Sequence, residues 1–198
     1  MSYYFKLGFV LLVITVVAGG ILAYINSFTA PIIQENQRRT KDEARREVLP
    51  DAVTFEIIKL QSDEDFLING ENVFAGKNEA GDVIGYTFLA SLYGYSSDVK
   101  SMVGVSRDLI IHKIKIISQT ETPGLGANCI KQEFQDQFSD KDMSQMKVDK
   151  DGGQIISITG ATITTRTIAN SIRDGLRLLE KNLAAGTESG QTYEETVK

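Results

Sequence analysis

Among its 198 residues the chain has one cysteine and one histidine. The single cysteine, Cys129, excludes an internal disulfide and any multi-cysteine zinc or iron–sulfur centre within the chain. The single histidine, His112, excludes histidine-rich metal sites, and a Ser-His-Asp triad would have to use it. It sits in Leu109-Ile110-Ile111-His112-Lys113-Ile114, which reads as a strand, where packing or solvent contact is the ordinary fate of such a residue. Positive charge is also scarce. Lys and Arg number 21 against 26 Asp and Glu, a net charge of −5, so there is no basic footprint and nucleic acid is not an expected partner. Any redox chemistry must then come from a bound group. The rest of the composition is ordinary, with 42% apolar and 24% charged residues, enough for one domain with a core plus extra segments.

One stretch lacks charge altogether. Residues 7–25 are apolar except for Thr15, whose hydroxyl can bond its own helix backbone. At a rise of about 1.5 Å per residue this run spans roughly 28 Å, close to the hydrocarbon thickness of a bilayer. Tyr3, Tyr4 and Tyr24 lie near its two ends, where aromatic rings favour the interface. The run is too long for a signal-peptide core, and no small-x-small cleavage site follows. It predicts an uncleaved transmembrane helix. The charge count on its two sides does not settle the orientation: Arg38, Arg39, Lys41, Arg45 and Arg46 follow the span but alternate with acids.

Thr29-Ala30-Pro31 reads as a helix start and Pro50 as a stop, which predicts a solvated connecting helix between them. Strands are expected at 53–60, 83–90, 99–105, 109–118 and 154–158, with a short helix or irregular segment at 129–140. Ile114 and Ile116 alternate with Lys113 and Lys115, so one face of that strand should be wet. Residues 164–183 predict an amphipathic helix with Ile168, Ile172, Leu176, Leu179 and Leu183 on one stripe. The expected fold is α+β: one N-terminal transmembrane helix, then a mainly antiparallel sheet domain with packed helices. Its divisions are an anchor over 1–28, the connecting helix over 29–50, the domain over 51–183 and a polar, disordered tail over 184–198.

Three segments carry candidate chemistry. Ser157-Ile158-Thr159-Gly160-Ala161-Thr162-Ile163-Thr164-Thr165 joins a strand to a helix. A helix start offers unpaired N–H groups and the positive end of the dipole, which suit a phosphate. Gly160 and Ala161 remove bulk, and the hydroxyls of Thr159, Thr162, Thr164 and Thr165 add donors. A threonine-rich helix cap accounts for the same string. Glu121-Thr122-Pro123-Gly124-Leu125-Gly126-Ala127 and Tyr93-Gly94-Tyr95-Ser96-Ser97-Asp98-Val99 each read, alone, as a glycine turn.

Together and in this order the three resemble the FMN-binding domains of the Rnf G subunit and of the C subunit of the sodium-pumping NADH:quinone oxidoreductase. Thr159-Gly160-Ala161-Thr162 resembles the S/T-G-A-T/S flavinylation motif of those families. Glu121 to Gly126 resembles their E-T-P-G-L-G loop, and Tyr93 and Tyr95 fall in a segment similar to their G-Y-G-x-x-I/V. The resemblance implies an FMN joined covalently through its phosphate to Thr162, by a flavin transferase that uses FAD. It implies Thr159, Gly160, Ala161, Thr164, Thr165, Glu121, Thr122, Gly124, Leu125, Gly126, Tyr93 and Tyr95 as the flavin's surroundings, Gly124 and Gly126 letting backbone approach the ring. It also implies an extracytoplasmic domain on a single-pass inner-membrane anchor, and further membrane and peripheral subunits as partners. The expected function is electron transfer within a ferredoxin:NAD oxidoreductase that pumps sodium ions or protons. The quinone-linked C subunit is the nearest alternative, and a non-catalytic FMN sensor or assembly module, or a plain anchored scaffold, are the others. Where the motif often has an aspartate six residues before the flavinylated threonine, this chain has Ile156.

Among the four hydroxyls, Thr162 is favoured by position. Thr159 precedes the glycine and can cap, while Thr164 and Thr165 lie inside the helix, where threonine hydroxyls bond back to earlier carbonyls.

Overall fold

The computed structural model describes residues 2–59 and 65–188. It divides into two units, residues 1–42 and 43–198. Leu60, the end of the first expected strand, and residues 189–198 of the expected tail lie outside the described residues.

The first unit is helical. α1 runs Ser2–Val48 with Pro31 inside it, so the helix start expected at Thr29-Ala30-Pro31 does not occur. Thr29 does not cap. Its hydroxyl donates to the Ile25 carbonyl at 3.0 Å, a bond within the helix that leaves it nothing to cap with. Thr15 does the same toward Leu11 at 2.7 Å, which satisfies the one polar side chain of the apolar run. α1 is the one helix among the described residues long and apolar enough to cross a membrane, and its apolar window buries nothing within the protein. It fits a single membrane pass.

The second unit begins with the last turns of α1. Its centre is a five-stranded antiparallel sheet in the order β1-β4-β5-β6-β7, formed by Thr54–Ile57, Phe74–Lys77, Val83–Tyr93, Asp98–Ser106 and Ile111–Ser118. A two-stranded ribbon of β2 (Leu67–Ile68) and β3 (Glu71–Asn72) lies between the first two in sequence. The α+β class stands. β7 starts two residues later than the alternation predicts, because Leu109 has a positive φ of 60° and belongs to the turn. The segment at 154–158 is not a strand. Only Ile155 makes a bridge, to Val148.

The two faces of the sheet are covered differently. On one face Phe88, Val103, Val105, Ile114 and Ile116 pack with Ile168, Ile172, Leu176 and Leu179 of α3 (Thr162–Glu188). Burying each of these aliphatic side chains contributes about 1.5–3 kcal/mol. Gly175 lets α3 cross directly over the Phe88 ring, where a Cβ would collide. On the other face Leu89 and Met102 meet Ala44 and Val48. Gly104 lies under the Val48 carbonyl with no room for a side chain. Lys113 and Lys115 both reach Glu47, each at 2.9 Å. The face that the lysines suggested to be wet is therefore the one on which the end of α1 rests.

Beyond β7 the chain turns through a 310 segment (Gly126–Ile130), α2 (Gln132–Gln135) and a second 310 turn (Asp136–Phe138). Gln135 is buried here, accepting from the Ile116 N–H at 2.9 Å and donating to the Ile130 carbonyl at 2.7 Å. It thereby satisfies backbone at the outer edge of β7.

Candidate flavin cleft

Three separate segments meet at one end of the sheet. The first is the β5–β6 turn, closed by the Gly94 N–H donating to the Ser97 carbonyl at 2.8 Å. The following N–H groups point to one side and converge on a carboxylate. Glu121 Oε1 accepts from Tyr95, Ser96 and Ser97 at 3.1, 2.9 and 3.2 Å. The second segment is the loop that brings Glu121 there. It is held by Gly124, whose φ of +77° closes the turn, and by the Asn128 side chain donating to the Gly124 carbonyl at 2.7 Å.

The third segment is the start of α3. Thr164 Oγ1 donates to Glu121 Oε2 at 2.7 Å. Glu121 is buried and thus joins all three. The space for this is left by two glycines: a Cβ on Gly94 would lie 2.7 Å from Glu121 Oε1, and one on Gly126 would lie 2.7 Å from Thr164 Oγ1. Gly126 is buried against this pair, which admits the Glu121–Thr164 contact, and it also borders the cleft between the three segments. Burial alone would raise the Glu121 pKa. The hydrogen bonds from Ser96, Thr164, Ser97 and Tyr95 outweigh it and hold the carboxyl below the usual glutamate value.

The turn into α3 is itself tightly bonded. Gly160 has φ +75°, and the Ala161 N–H donates to Ile158 at 2.9 Å. Thr165 is fully buried. Its hydroxyl donates to the Ala161 carbonyl and accepts from the Ile158 N–H, both at 3.1 Å. Upstream, Asp149 accepts from both the N–H and the hydroxyl of Ser157. Arg166 grips Asp151 in a two-pronged pair at 2.7 and 2.8 Å. The N–H groups of Thr162, Ile163 and Thr164 find no acceptor among the described residues, and neither does the half-buried Thr162 hydroxyl. This is the open end of a helix dipole.

Between the segments lies a cleft of about 540 Å3, lined by Tyr95, by Glu121, Thr122, Leu125 and Gly126, and by Gly160 to Thr164. Its size is that of a small-molecule site. Tyr95, Leu125 and Ile163 are largely exposed apolar side chains that form walls for a flat ring. The N–H groups at the helix start and the free Thr162 hydroxyl suit a phosphate, so the residues present fit FMN.

Of the residues that the sequence nominates, Tyr95, Glu121, Thr122, Leu125, Gly126, Gly160, Ala161, Thr162 and Thr164 come together here. Four others do not line the cleft. Thr165 is committed to the turn. Tyr93 offers its carbonyl to Thr167 at 3.2 Å and its hydroxyl to the Ser96 carbonyl at 3.2 Å. Thr159 and Gly124 are exposed, and Gly124 serves the loop's shape. Ile163 is not among the nominated residues; the signal for it is an apolar residue in the first turn of a helix, off the buried stripe. His112 is exposed on β7, and Ile156 is 65% exposed outside the cleft.

Comparisons with known proteins bear on the family and the fold. Residues 94–177 match the FMN-binding domain family and residues 4–48 match the RnfG N-terminal region. The G subunit of the Na+-translocating ferredoxin:NAD+ oxidoreductase complex of Acetobacterium woodii is 36% identical over 191 residues, covering 89% of this chain and 91% of that one. The chain belongs to the G-subunit family of ion-translocating oxidoreductase complexes. A second G subunit, from Methanosarcina acetivorans, is 30% identical, with 84% of this chain and 89% of that one covered. The fold is also that of the C subunit of the Na+-translocating NADH-quinone reductase from Parabacteroides distasonis, with a TM-score of 0.56 at 19% identity over 75% of this chain and 94% of that one. As a G subunit, the chain is an electron-transport component of an oxidoreductase, with a membrane helix ahead of an FMN-binding domain.

Proposed function

We propose that Thr162 carries FMN as a phosphoester, and that the chain relays electrons within a ferredoxin:NAD oxidoreductase that moves sodium ions or protons across the membrane. The observation that carries this is the start of α3. Three N–H groups and one hydroxyl, without acceptors among the described residues, open into a cleft with apolar walls. FMN, when bound, supplies reversible electron uptake and release. The chain's residues bind and orient. The N–H groups of Thr162, Ile163 and Thr164 receive the phosphate. Tyr95, Leu125 and Ile163 contact the ring and exclude water from it.

Attachment is made by a flavin transferase. Thr162 Oγ forms a bond to the flavin-side phosphorus of FAD, the phosphoanhydride bond breaks, AMP leaves, and the hydroxyl proton passes to a base. That base comes from the transferase. Tyr95 and Glu121 are the titratable groups lining the cleft, and Glu121 is occupied with four donors. The resemblance to the Rnf G subunits implies a domain on the extracytoplasmic side, and the basic residues after the span do not oppose this, since long domains translocate largely regardless of flanking charge. The G subunits matched over most of their length favour this reading over a quinone-linked C subunit.

The test is Thr162→Ala in cells that contain the transferase. The variant should fold, insert and lose its fluorescent band on a denaturing gel, with added FMN mapped to the Thr162 peptide in the parent protein. A persisting band sinks the assignment. Protease added to spheroplasts should digest the domain; protection until the membrane is opened would reverse the proposed side.

A further inference from the structure

We infer that Glu121 is a positioning residue whose carboxylate, partnered by Thr164, couples the Tyr95 wall of the cleft to the start of α3 and sets the flavin's potential. This rests on the FMN reading above for the potential, but not for the coupling. The geometry is specific. One buried carboxylate receives three N–H groups from the β5–β6 turn and one hydroxyl from α3. Among the described residues, no hydrogen bond links Thr164 to the turn except through Glu121. The same residue lines the cleft, so its negative charge faces the space that the ring fills. The carboxylate itself is buried, so water screens it weakly, and such a fixed charge acts strongly on charge arriving nearby.

Two substitutions then have opposite effects. Glu121→Gln removes the negative charge and should make electron uptake easier, raising the flavin potential. Thr164→Val is close in shape but takes away the hydroxyl that partly neutralises the carboxylate. It should make electron uptake harder, lowering the potential. Thr164→Ser keeps the hydroxyl and should stay near the parent value. A role in packing alone would move the first two in the same direction, or not at all.

The coupling is read first in the unflavinylated full chain, in detergent, from the amide resonances of Tyr95, Ser96 and Ser97. Both Glu121→Gln and Thr164→Val should shift these amides, although Thr164 belongs to another element, and Thr164→Ser should restore them. The potential is then titrated on the flavinylated forms. Unmoved turn amides in Thr164→Val, or potentials of Glu121→Gln and Thr164→Val that shift together, would overturn the inference. If Thr164→Val does not fold, Glu121→Gln against the parent decides by the same two readouts. If Thr162 carries no flavin, the missing gel band shows that failure separately and the amide comparison alone decides the coupling.

Discussion

The two glycines of the Glu121 loop do different work, and their substitutions should differ accordingly. Gly124 has room for a side chain, with nothing within 4 Å of a Cβ, but a φ of +77°. Gly124→Ala therefore costs only conformational strain, about 1–2 kcal/mol. Gly126 has no space, since a Cβ would lie against Thr164 Oγ1 and Glu121 Oε2 at 2.7 and 2.8 Å. Gly126→Ala should separate that pair and cost about 1–3 kcal/mol. It should also shift the Tyr95 amide, which Gly124→Ala should leave alone. Urea unfolding of the two variants together with their amide spectra checks this. Equal effects on Tyr95 would mean that Gly126 is only a turn residue. Cys129 is the other residue with a clear expectation. Burial first, and then the Glu121 charge, push its thiol up to about 11, so iodoacetamide at neutral pH should leave it unmodified in the native protein. At this scale the sequence names most of the cleft, because its glycine and threonine strings, each an ordinary turn or cap alone, together resemble the motifs of a known family. It does not reveal that Glu121 unites them, because its partners at 95–97 and 164 are remote in sequence and no periodicity encodes such a contact.

Among the elements, the long strands are legible in the sequence and the short ones are not. β5, β6 and β7 are runs of alternating or continuous apolar residues that end in turn residues. β4 is Phe-Ala-Gly-Lys and β2 only two residues, too short for a pattern. In α1 the string Thr29-Ala30-Pro31 misleads, since a cap signal competes with a hydroxyl that can equally bond back along the helix. Pairing decides the end of α1. Arg45 is buried with its guanidinium 3.7 Å from the Phe74 ring centroid, and Val48 lies over Gly104. Gly104→Val should therefore lift the end of α1 off the sheet and destabilise the domain by about 1–3 kcal/mol. Glu47→Ala, which breaks half-exposed pairs to Lys113 and Lys115, should cost at most about 1 kcal/mol. Unfolding midpoints of the two variants should differ in that order; a larger loss from Glu47→Ala would mean that the ion pairs hold the helix end and the glycine does not.

For the whole molecule, acid should be the weak direction. Glu121 and Glu47 both have pKa values below the ordinary glutamate range in the folded state, each because hydrogen bonds outweigh burial. An unfolded glutamate titrates near about 4.3. Above that value the stabilisation from both groups is fully present. As the pH falls through their folded values the native state must take up protons, and the stabilisation is lost. The unfolding free energy should be flat from neutrality into weak acid and fall below it, and Glu121→Gln should flatten part of that fall. An unaltered acid limb in this variant would remove Glu121 from the account. The cleft's lining has one further consequence for the life of the molecule. Among the described residues that line it there is no histidine, no cysteine and no uncommitted carboxylate, which leaves Tyr95 as the one uncommitted titratable side chain there to assist water in cleaving a phosphoester. If Thr162 carries FMN as proposed, the ester should therefore be long-lived in this chain. The cofactor then ages with the protein, and in a pulse-chase labelling experiment riboflavin and amino-acid labels should decay from this protein with one half-life.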